Sequence, residues 1–451
     1  MNVPNRSLSL TLAGAALAGA VVLTTTLATA RNDTLPHPVT DADFRPVGQN
    51  AQAKIALGRA LFFDKILSGN QNISCATRHH PRHGTADGVS LATGEGAKGL
   101  GPNRDAGTGR HAVHARIPRN APALFNLGAI EYTDMFHDGR VALTGTGIIS
   151  PAGQNLPKGL DSVLAAQALF PVTSPEEMAG QEGENPIADA AAAGDLPRIW
   201  DLLADRLRGV PGYRKMFREA FGVAPDRITY VHAANAIAAF EASEWRSDDS
   251  PFDKYLRGNK TAMSKKARRG MDLFYGDAGC ASCHSGKFQT DHRYHVLAMP
   301  QLGPGKGDGE TGIDDWGRAR VTGLTIDRYR FRTPSLRNVA LTAPYGHAGG
   351  YATLEAVIQH HMDPRTALAK FDRDQIKVAM RHDLVASDFT AFDDRDARTR
   401  RLLACEDMER PLTRREIGDV VAFLHALPDP TMVGEAGRVP ATVPSGLPVA
   451  D

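Results

Sequence analysis

The residues most clearly spaced for chemistry are Cys280, Cys283 and His284, which form a Cys-x-x-Cys-His segment. Two cysteines at this spacing can form thioether bonds to the vinyl groups of a haem, and the next histidine can bind its iron. The alternative is a redox or zinc-binding cysteine pair followed by an unrelated histidine. Because the chain has no second Cys-x-x-Cys segment to complete a zinc site, we predict a covalently bound c-type haem.

Residues 75–79 have the same form, except that Arg78 stands where the second cysteine is expected. One thioether, through Cys75, and the ligand His79 remain available for a first haem. The alternative is a degenerate site that holds no covalent haem. A disulfide between Cys75 and Cys405 is a further alternative, which the geometry of the folded chain decides.

A weak internal repeat precedes both segments. Residues 58–63 and 270–275 carry glycine, leucine and aromatic residues at matching positions. Each is typical of the last turns of a helix that leads into a haem-binding loop. Ser264 fits the N-cap of the second of these helices, and Thr413 begins a capping box for a later helix with an apolar stripe. A helix before the haem segment and another at the end of the domain predict a cytochrome c-like module.

The chain between the modules predicts helices, which the apolar pattern places over 196–208, 213–221 and 228–245. A turn-rich boundary follows. We predict a mostly α-helical fold of two cytochrome c-like haem domains with long loops and connecting helices. The predicted divisions are an N-terminal haem domain with its connecting helices over 31–250, a C-terminal haem domain over 251–430, and a flexible tail over 431–451.

The first 30 residues have the composition of a secretory signal peptide. Arg6 supplies the positive charge, an apolar stretch covers 8–23, and small residues at 28–30 offer a cleavage site. An uncleaved anchor helix is the alternative, although the apolar run is short for a bilayer span. We expect residues 1–30 to be removed, the mature chain to have no membrane span, and the protein to work in the periplasm.

Composition excludes some other classes of protein. The formal net charge is +1, so no global field favours nucleic acid or an anionic membrane as a partner. Four cysteines, two of them in one haem segment, are too few for a disulfide scaffold.

Further short motifs resemble the bacterial di-haem cytochrome c peroxidase and MauG family. Besides residues 280–284 they are Leu61-Phe62-Phe63-Asp64, Arg119-Asn120-Ala121-Pro122, Asp138-Gly139-Arg140, Ser250-Pro251-Phe252-Asp253, Arg332-Thr333-Pro334-Ser335-Leu336-Arg337-Asn338, Thr342-Ala343-Pro344-Tyr345 and Thr353-Leu354-Glu355. The resemblance implies an oxidoreductase with two c-type haems. It implies His79 as the proximal ligand of a peroxide-reducing haem and His284 as that of an electron-transfer haem.

The family places a glutamine and a glutamate ten residues apart over the reactive iron, and Gln167 and Glu177 have this offset. A carboxylate beside a peroxide can move a proton from one oxygen to the other, and an amide can orient the molecule. The resemblance therefore implies Glu177 as the catalytic base and Gln167 as the positioning group. The alternative is structural, because residues 174–177 also match a capping box with proline at the first helical position.

The resemblance implies His361 as the sixth ligand of the second haem, where peroxidases of the family have a methionine and MauG a tyrosine. Two histidine ligands should give a lower potential than a histidine and a thioether. His360 and Met362 flank this position, so a shift of one residue would change the ligand. A solvated histidine pair on a helix is the alternative.

His137 departs from the family, which has a tryptophan immediately before the Asp-Gly-Arg motif and uses it as an electron relay. A relay through an indole at this position is therefore in doubt. His137 either forms a hydrogen bond to a haem propionate or water, or is a packed polar residue. His347, where the peroxidases also have a histidine, either makes the haem pocket polar or anchors its loop.

Family members also hold a calcium ion between the domains, through an asparagine and two backbone carbonyls. The matching positions are Asn120, Thr342 and Pro344, and oxygen ligands suit a hard cation. For Asn120, a role as a turn residue is equally consistent with the sequence.

The resemblance implies a periplasmic enzyme that reduces hydrogen peroxide to water with electrons from a small redox protein, such as a cytochrome c or a cupredoxin. It is also compatible with a homodimer. Two alternatives stay open. One is MauG-like, peroxide-dependent oxidation of a side chain on a partner protein. The other is a mono-haem electron carrier whose first site has decayed.

Overall fold

The structure is a computed structural model that describes residues 35–109, 112–379, 382–406, 411–434 and 437–450. The predicted signal peptide, residues 1–30, lies outside the described residues. Within them, every helix is either too short or too polar to cross a membrane.

The fold is mostly α-helical, as the sequence predicts. The α-helices are α1 Ala51–Phe63, α2 Cys75–Arg78, α3 Val163–Gln167, α4 Pro186–Ala192, α5 Leu196–Gly209, α6 Pro211–Phe221, α7 Tyr230–Glu244, α8 Pro251–Leu256, α9 Lys265–Tyr275, α10 Ala319–Thr322, α11 Leu354–Met362, α12 Pro364–Ala369, α13 His382–Asp388, α14 Thr390–Asp393, α15 Arg395–Ala404 and α16 Arg414–Leu424. Two small antiparallel sheets are formed by β1 Asp134–Met135, β2 Val141–Thr144 and β3 Gly147–Ile149, and by β4 Tyr294–His295 with β5 Phe331–Arg332.

The helices predicted between the haem segments are present as α5, α6 and α7. Helix α6 begins two residues earlier than predicted, at Pro211, because proline at the first helical position loses no hydrogen bond. Ser264 caps α9 by accepting a hydrogen bond from the Ala267 N–H over 3.0 Å. Thr413 caps α16 through the predicted capping box. Local sequence signals therefore locate these helix ends well.

The internal repeat has a structural reason, because in each half a glycine lies where two helices cross. A Cβ atom at Gly58 of α1 would lie 1.9 Å from the carbonyl oxygen of Ala236 in α7. A Cβ atom at Gly270 of α9 would lie 1.8 Å from the carbonyl oxygen of Asp419 in α16. Only glycine allows the backbones to approach this closely. Each crossing fixes the helix that leads into a haem segment.

Aromatic rings pack beside both crossings. The Phe62 and Phe240 rings lie 5.2 Å apart between α1 and α7, and the Phe274 and Phe423 rings lie 5.2 Å apart between α9 and α16. The two pairs belong to separate hydrophobic clusters. Phe288, however, follows the second haem segment and packs in the first cluster, so the division of the chain near residue 250 stays a prediction.

A buried ion pair positions the loop after His284. The side chains of Arg337 and Asp253 are both fully buried, and Arg337 Nη1 lies 2.6 and 2.7 Å from the two carboxylate oxygens. Arg337 Nε also donates to the Lys287 carbonyl over 2.9 Å. Because a buried charge is stable only when it is paired, this contact connects two of the sequence motifs and holds the haem loop between them.

The sequence predicts a flexible tail over 431–451, but the described part of this segment packs against the C-terminal end of α1. Ser445 Oγ donates to Asp64 Oδ1 over 2.7 Å, and Lys65 Nζ donates to the Ala450 carbonyl over 3.0 Å. Asp64 is fully buried, so its carboxylate requires such donors. The end of the chain is therefore part of the folded unit, which its composition alone does not indicate.

The glycine crossing gives a matched pair of tests in the α9–α16 contact. Gly270→Ala should lower the free energy of unfolding by about 1–3 kcal/mol, because the new methyl group would overlap a backbone oxygen. Gly418→Ala should raise it by about 0.5–1 kcal/mol through helix propensity, since a Cβ there meets only the end of Lys266, at 3.4 Å. Urea unfolding of the haem-loaded protein measures both. If the two substitutions changed the free energy of unfolding equally, the close crossing at Gly270 would be contradicted.

Candidate active site

His79 is held by the single turn of α2 and by the loop that follows it. Its Nδ1 donates to the Thr85 carbonyl over 2.8 Å. Burial, followed by the charge of Arg78, lowers the pKa of His79 to about 4. The imidazole is therefore neutral at physiological pH. With the proton on Nδ1, the lone pair of Nε2 is the one that an iron ligand needs.

Cys75 is present as a free thiol, and burial together with Glu241 raises its pKa to about 12. Cys405 is not disulfide-bonded either, and it packs in a separate apolar cluster that contains Leu91. The structure thus gives no disulfide between Cys75 and Cys405. Cys75 lies one helical turn before His79, as a thioether-forming cysteine must.

His284 repeats this arrangement. Its Nδ1 donates to the Gln289 carbonyl over 3.2 Å, and burial followed by His361 lowers its pKa to about 4. The ring centroids of His284 and His361 lie 6.4 Å apart, with the ring planes tilted by 50°. Two metal–nitrogen bonds of about 2 Å each, together with the two ring radii, add up to about this separation. The pair fits one iron between two imidazoles.

The neighbours of His361 are placed differently. His361 Nδ1 donates to the Val357 carbonyl of its own helix over 2.7 Å. His360 is fully buried, and both of its ring nitrogens have partners, the Tyr351 hydroxyl at 2.6 Å and the Leu297 carbonyl at 2.7 Å. His361, and not His360, thus has its ring beside that of His284.

Another cluster near this segment could be read as a metal site. Ligand atoms of Cys283, Asp291 and His295 lie within 4.8 Å of one another. Hydrogen bonds to Asp291 and Cys283 raise the pKa of His295 to about 11, so the ring is a cation that pairs with Asp291 and Glu406. This set leaves His284 out, whereas a haem uses both cysteines and His284.

Glu177 lies in a short π-helical turn, Pro175–Ala179, and its carboxylate is directed towards the first haem segment. Its Oε2 lies 3.5 Å from Arg78 Nη1. The predicted capping box is not formed, because Ser174 makes no side-chain cap and its Oγ donates to Glu176 Oε2 instead, over 3.3 Å. The capping box is therefore not formed, and the catalytic role of Glu177 stays a prediction.

Gln167 is the last residue of α3 and is half-buried. Three residues later the Phe170 ring lies edge-on to Phe136, with centroids 6.4 Å apart. Phe136 in turn lies 3.5 Å beneath the Arg140 guanidinium. An apolar wall with a cationic face therefore lies close to Gln167.

Two further cations interact electrostatically with Glu177. Burial lowers the pKa of Arg140, and the negative charges of Asp138 and Glu177 oppose this shift. Burial, Arg119 and Arg140 likewise lower the pKa of Lys306, with Glu177 again opposing. A group that brings carboxylates, as a haem does through its propionates, fits this excess of positive charge.

The candidate calcium residues Asn120 and Pro344 are in contact. Asn120 Nδ2 donates to the Pro344 carbonyl over 2.8 Å, and Thr342 is two residues away along the chain. Asn120 is buried, and its Oδ1 has no hydrogen-bond partner in the described structure. An orphaned buried amide oxygen beside a carbonyl oxygen fits a hard cation.

His137 contacts the same loop. Its Nε2 donates to the Asn120 carbonyl over 3.1 Å, and burial followed by Arg119 lowers its pKa to about 4. His347 accepts the Asn120 N–H at its carbonyl over 2.8 Å, and its ring stacks on Phe331 at 3.8 Å. Both histidines are thus neutral groups packed around Asn120, His347 buried and His137 half-buried.

Sequence reasoning missed a buried ion network at this junction. Arg119 forms two hydrogen bonds of 2.8 Å to Asp315 and one of 2.6 Å to Asp138. Although burial opposes the shift, Arg119 and Arg140 lower the pKa of Asp138 to about 2. The Arg-Asn and Asp-Gly-Arg motifs supplied two of these residues, but no local signal marked Asp315.

Two haem-binding segments, each with a neutral histidine on a mostly helical fold, define an oxidoreductase of the c-type cytochrome class. A model of the di-haem cytochrome c peroxidase family matches residues 52–261. The methylamine utilization protein MauG of Methylorubrum extorquens is 33% identical over 332 residues, which cover 74% of this chain and 73% of that protein. The chain therefore belongs to the di-haem cytochrome c peroxidase family and is an enzyme of the cytochrome c peroxidase type.

Other relatives agree with this assignment. Cytochrome c551 peroxidase of Pseudomonas aeruginosa is 31% identical over 316 residues, covering 70% of this chain and 72% of that protein. Among solved structures, a MauG-like protein associated with microbial copper homeostasis aligns with a TM-score of 0.57 at 26% identity, over 90% of this chain and 96% of that chain. The family implies two c-type haems.

The Arg119 network predicts a strong effect on stability. Arg119→Ala should lower the free energy of unfolding by about 3–5 kcal/mol, because it leaves the buried Asp315 carboxylate without its cation and Asp138 paired with Arg140 alone among these groups. Arg227→Ala is the control and should change it by less than about 1 kcal/mol, since that side chain is 82% exposed beside Asp226. Chemical unfolding at neutral pH measures both variants.

The same network sets a pH dependence. The folded pKa of Asp138 lies below its unfolded value of about 4, so its contribution is present above that value and is lost as the pH falls towards about 2. Arg119→Ala should therefore flatten the acid limb of the stability curve. An unchanged acid limb would contradict the network.

Proposed function

We propose that the chain reduces hydrogen peroxide to water at a haem held by Cys75 and His79, with Glu177 as the proton-transferring group. The observation that carries this proposal is the position of the Glu177 carboxylate, which contacts the residue next to the proximal histidine. The haem supplies the iron that binds the oxidant and the electrons that reduce it. The family assignment supports the reaction class.

The protein's own groups then manage protons and orientation. The Glu177 carboxylate takes the proton from one peroxide oxygen and delivers it to the other, which leaves as water. The Gln167 amide orients the peroxide by hydrogen bonding. The net reaction consumes one peroxide, two protons and two electrons and yields two waters. The wall beside Gln167 limits the access of bulk water to this pocket.

Electrons enter, on this proposal, through a haem that is bound to Cys280 and Cys283 and held between His284 and His361. The ring centroids 6.4 Å apart support this assignment. A haem held by both histidines would have no position open to peroxide and would supply electron transfer. A low potential relative to a histidine–methionine haem follows from the second imidazole.

A calcium ion between the two haem sites is part of the proposal, with Asn120 Oδ1 and the carbonyls of Thr342 and Pro344 as ligands. The orphaned Asn120 oxygen supports it. His137 contacts the backbone of the same residue, so the ion would also order the segment that replaces the family's tryptophan relay.

The signal-peptide pattern of residues 1–30 supports a periplasmic location, and covalent haem attachment agrees with it. The electron donor is then a small periplasmic redox protein, such as a cytochrome c or a cupredoxin. A homodimer is compatible with this function and is not needed for it.

A second candidate function is oxidation of a side chain on a partner protein with peroxide as oxidant. The departures at His361 and His137 permit it, since neither residue matches the ordinary peroxidase, and a MauG protein is among the similar chains. Peroxide-dependent mass shifts in a protein that co-purifies with this chain, without any reduced donor, would select this function over peroxide reduction.

Glu177→Gln tests the proposed function, with Glu176→Gln as its matched neighbour. Loss of the proton-transferring carboxylate should lower the second-order rate constant with peroxide by about 100-fold to 10,000-fold. Glu176→Gln should stay within about twofold, because its carboxylate accepts a hydrogen bond from Ser174 within its own turn. Stopped-flow absorbance of protein shown to carry two haems per chain measures both variants. Equal rates, or one haem per chain, would contradict the proposal.

His361→Met tests the second haem. The midpoint potential of that haem should rise by on the order of 100 mV, because a thioether replaces an imidazole. The matched control is Met362→Leu, which should leave the potential unchanged. Spectroelectrochemical titration reads both. If the midpoint potential shifted in Met362→Leu and not in His361→Met, the ligand would be Met362.

A further inference from the structure

Arg78 occupies the position of the second haem-binding cysteine, where the sequence indicated only a loss. Its side chain is 12% exposed and lies between two carboxylates. Nη1 is 3.5 Å from Glu177 Oε2, and Nε is 4.0 Å from Asp87 Oδ2. A long cationic side chain without a role would extend its head to water. This one is turned inwards, and both neighbours that it contacts are acidic.

We propose that Arg78 is a positioning residue of the peroxide site, which exchanges a thioether for an ionic bridge to the catalytic carboxylate. The inference rests on the proposed function and deepens it. Arg78 acts through Glu177 and does not itself transfer a proton.

The position of residue 78 allows this role. In a Cys-x-x-Cys-His segment the second cysteine reaches a vinyl group, so residue 78 lies at the edge of the porphyrin. On the proposed function, His79 would hold the haem from one side and Glu177 would act on the other. A cysteine would end at the haem edge, whereas an arginine is long enough to pass it. Arg78 therefore connects the element that carries the proximal ligand with the turn that carries the carboxylate.

Glu177 needs an external partner because its own turn does not orient it. The π-helical turn has only five residues, and Ser174 forms no cap with Glu177. The guanidinium is a planar fork with several donors, so it can fix a carboxylate in direction as well as in distance. Asp87 is an ionic neighbour at the other edge of the guanidinium, with its Oδ2 4.0 Å from Nε and no hydrogen bond between these two atoms in the described structure. Its Oδ1 accepts a hydrogen bond from the Val89 N–H over 3.3 Å.

A double-mutant cycle tests the coupling, with Arg78→Gln, Glu177→Gln and the double variant in the full-length, haem-loaded protein. Arg78→Gln should slow the peroxide reaction by about tenfold when Glu177 is present, and by less than about twofold when it is not. If Arg78 were merely structural, Arg78→Gln would slow the peroxide reaction equally with and without Glu177. That result would overturn the inference. Arg78→Lys, which keeps the charge but not the fork, should fall in between and covers the case in which Arg78→Gln fails to fold.

A binding measurement gives a readout that does not depend on turnover. Hydrogen cyanide must give up its proton to a base as it binds a ferric haem, so its association rate reports the same carboxylate. Arg78→Gln should slow cyanide association about tenfold in the Glu177 background only. If Glu177→Gln slows both reactions while Arg78→Gln slows neither, the inference fails and the proposed function stands. If neither variant has an effect, the proposed function fails as well.

Arg78→Cys distinguishes a functional exchange of the thioether for an ionic contact from the decay of a haem site. It restores the complete haem segment, so the pyridine haemochrome band should move to the position of a haem with two thioethers, and the mass of the haem peptide should confirm the second bond. The peroxide reaction should nevertheless slow about tenfold. Unchanged or faster reaction with two thioethers in place would show that Arg78 is a remnant of a decayed site.

Discussion

The close crossing of two helices at a glycine is the constraint on which each half of the molecule depends. Gly58 and Gly270 bring backbone against backbone, and the helices that they belong to lead directly into the haem segments. A side chain at either position would push the helices apart and move the loop that carries the histidine. The sequence pattern therefore recurs because each half needs a glycine at the crossing of two helices.

The His79 and His284 sites are alike in how the histidine is held, and they differ in the side chain that lies near it. Both histidines donate from Nδ1 to a backbone carbonyl of the following loop, and burial keeps both neutral. Opposite His284 lies an imidazole that its own helix holds in place. The first segment instead contacts a carboxylate in a short turn. The two sites therefore differ in the neighbouring side chain, which is an imidazole beside His284 and a carboxylate beside the first segment.

Much of this was predictable from local sequence, because caps, haem segments and apolar stripes act over a few residues. The ends of α9 and α16 are of this kind, whereas the roles of Gln167 and Glu177 follow from the resemblance to the family and stay predictions. The packing of Ser445 on Asp64 and of Arg119 on Asp315 joins positions 381 and 196 residues apart. A polar side chain in a loop looks the same in sequence whether its partner is water or a buried carboxylate, so such contacts appear only in the folded chain.

Arg78 shows how misleading a single position can be when it is compared only with its motif. Measured against the motif, the residue is a defect that weakens haem attachment. In the folded chain its charge is buried beside Glu177 and Asp87, and a buried cation is retained only where carboxylates stabilise it. A protein that had lost its first haem would have no reason to keep this charge inside. The arginine is therefore better understood as part of the site than as damage to it.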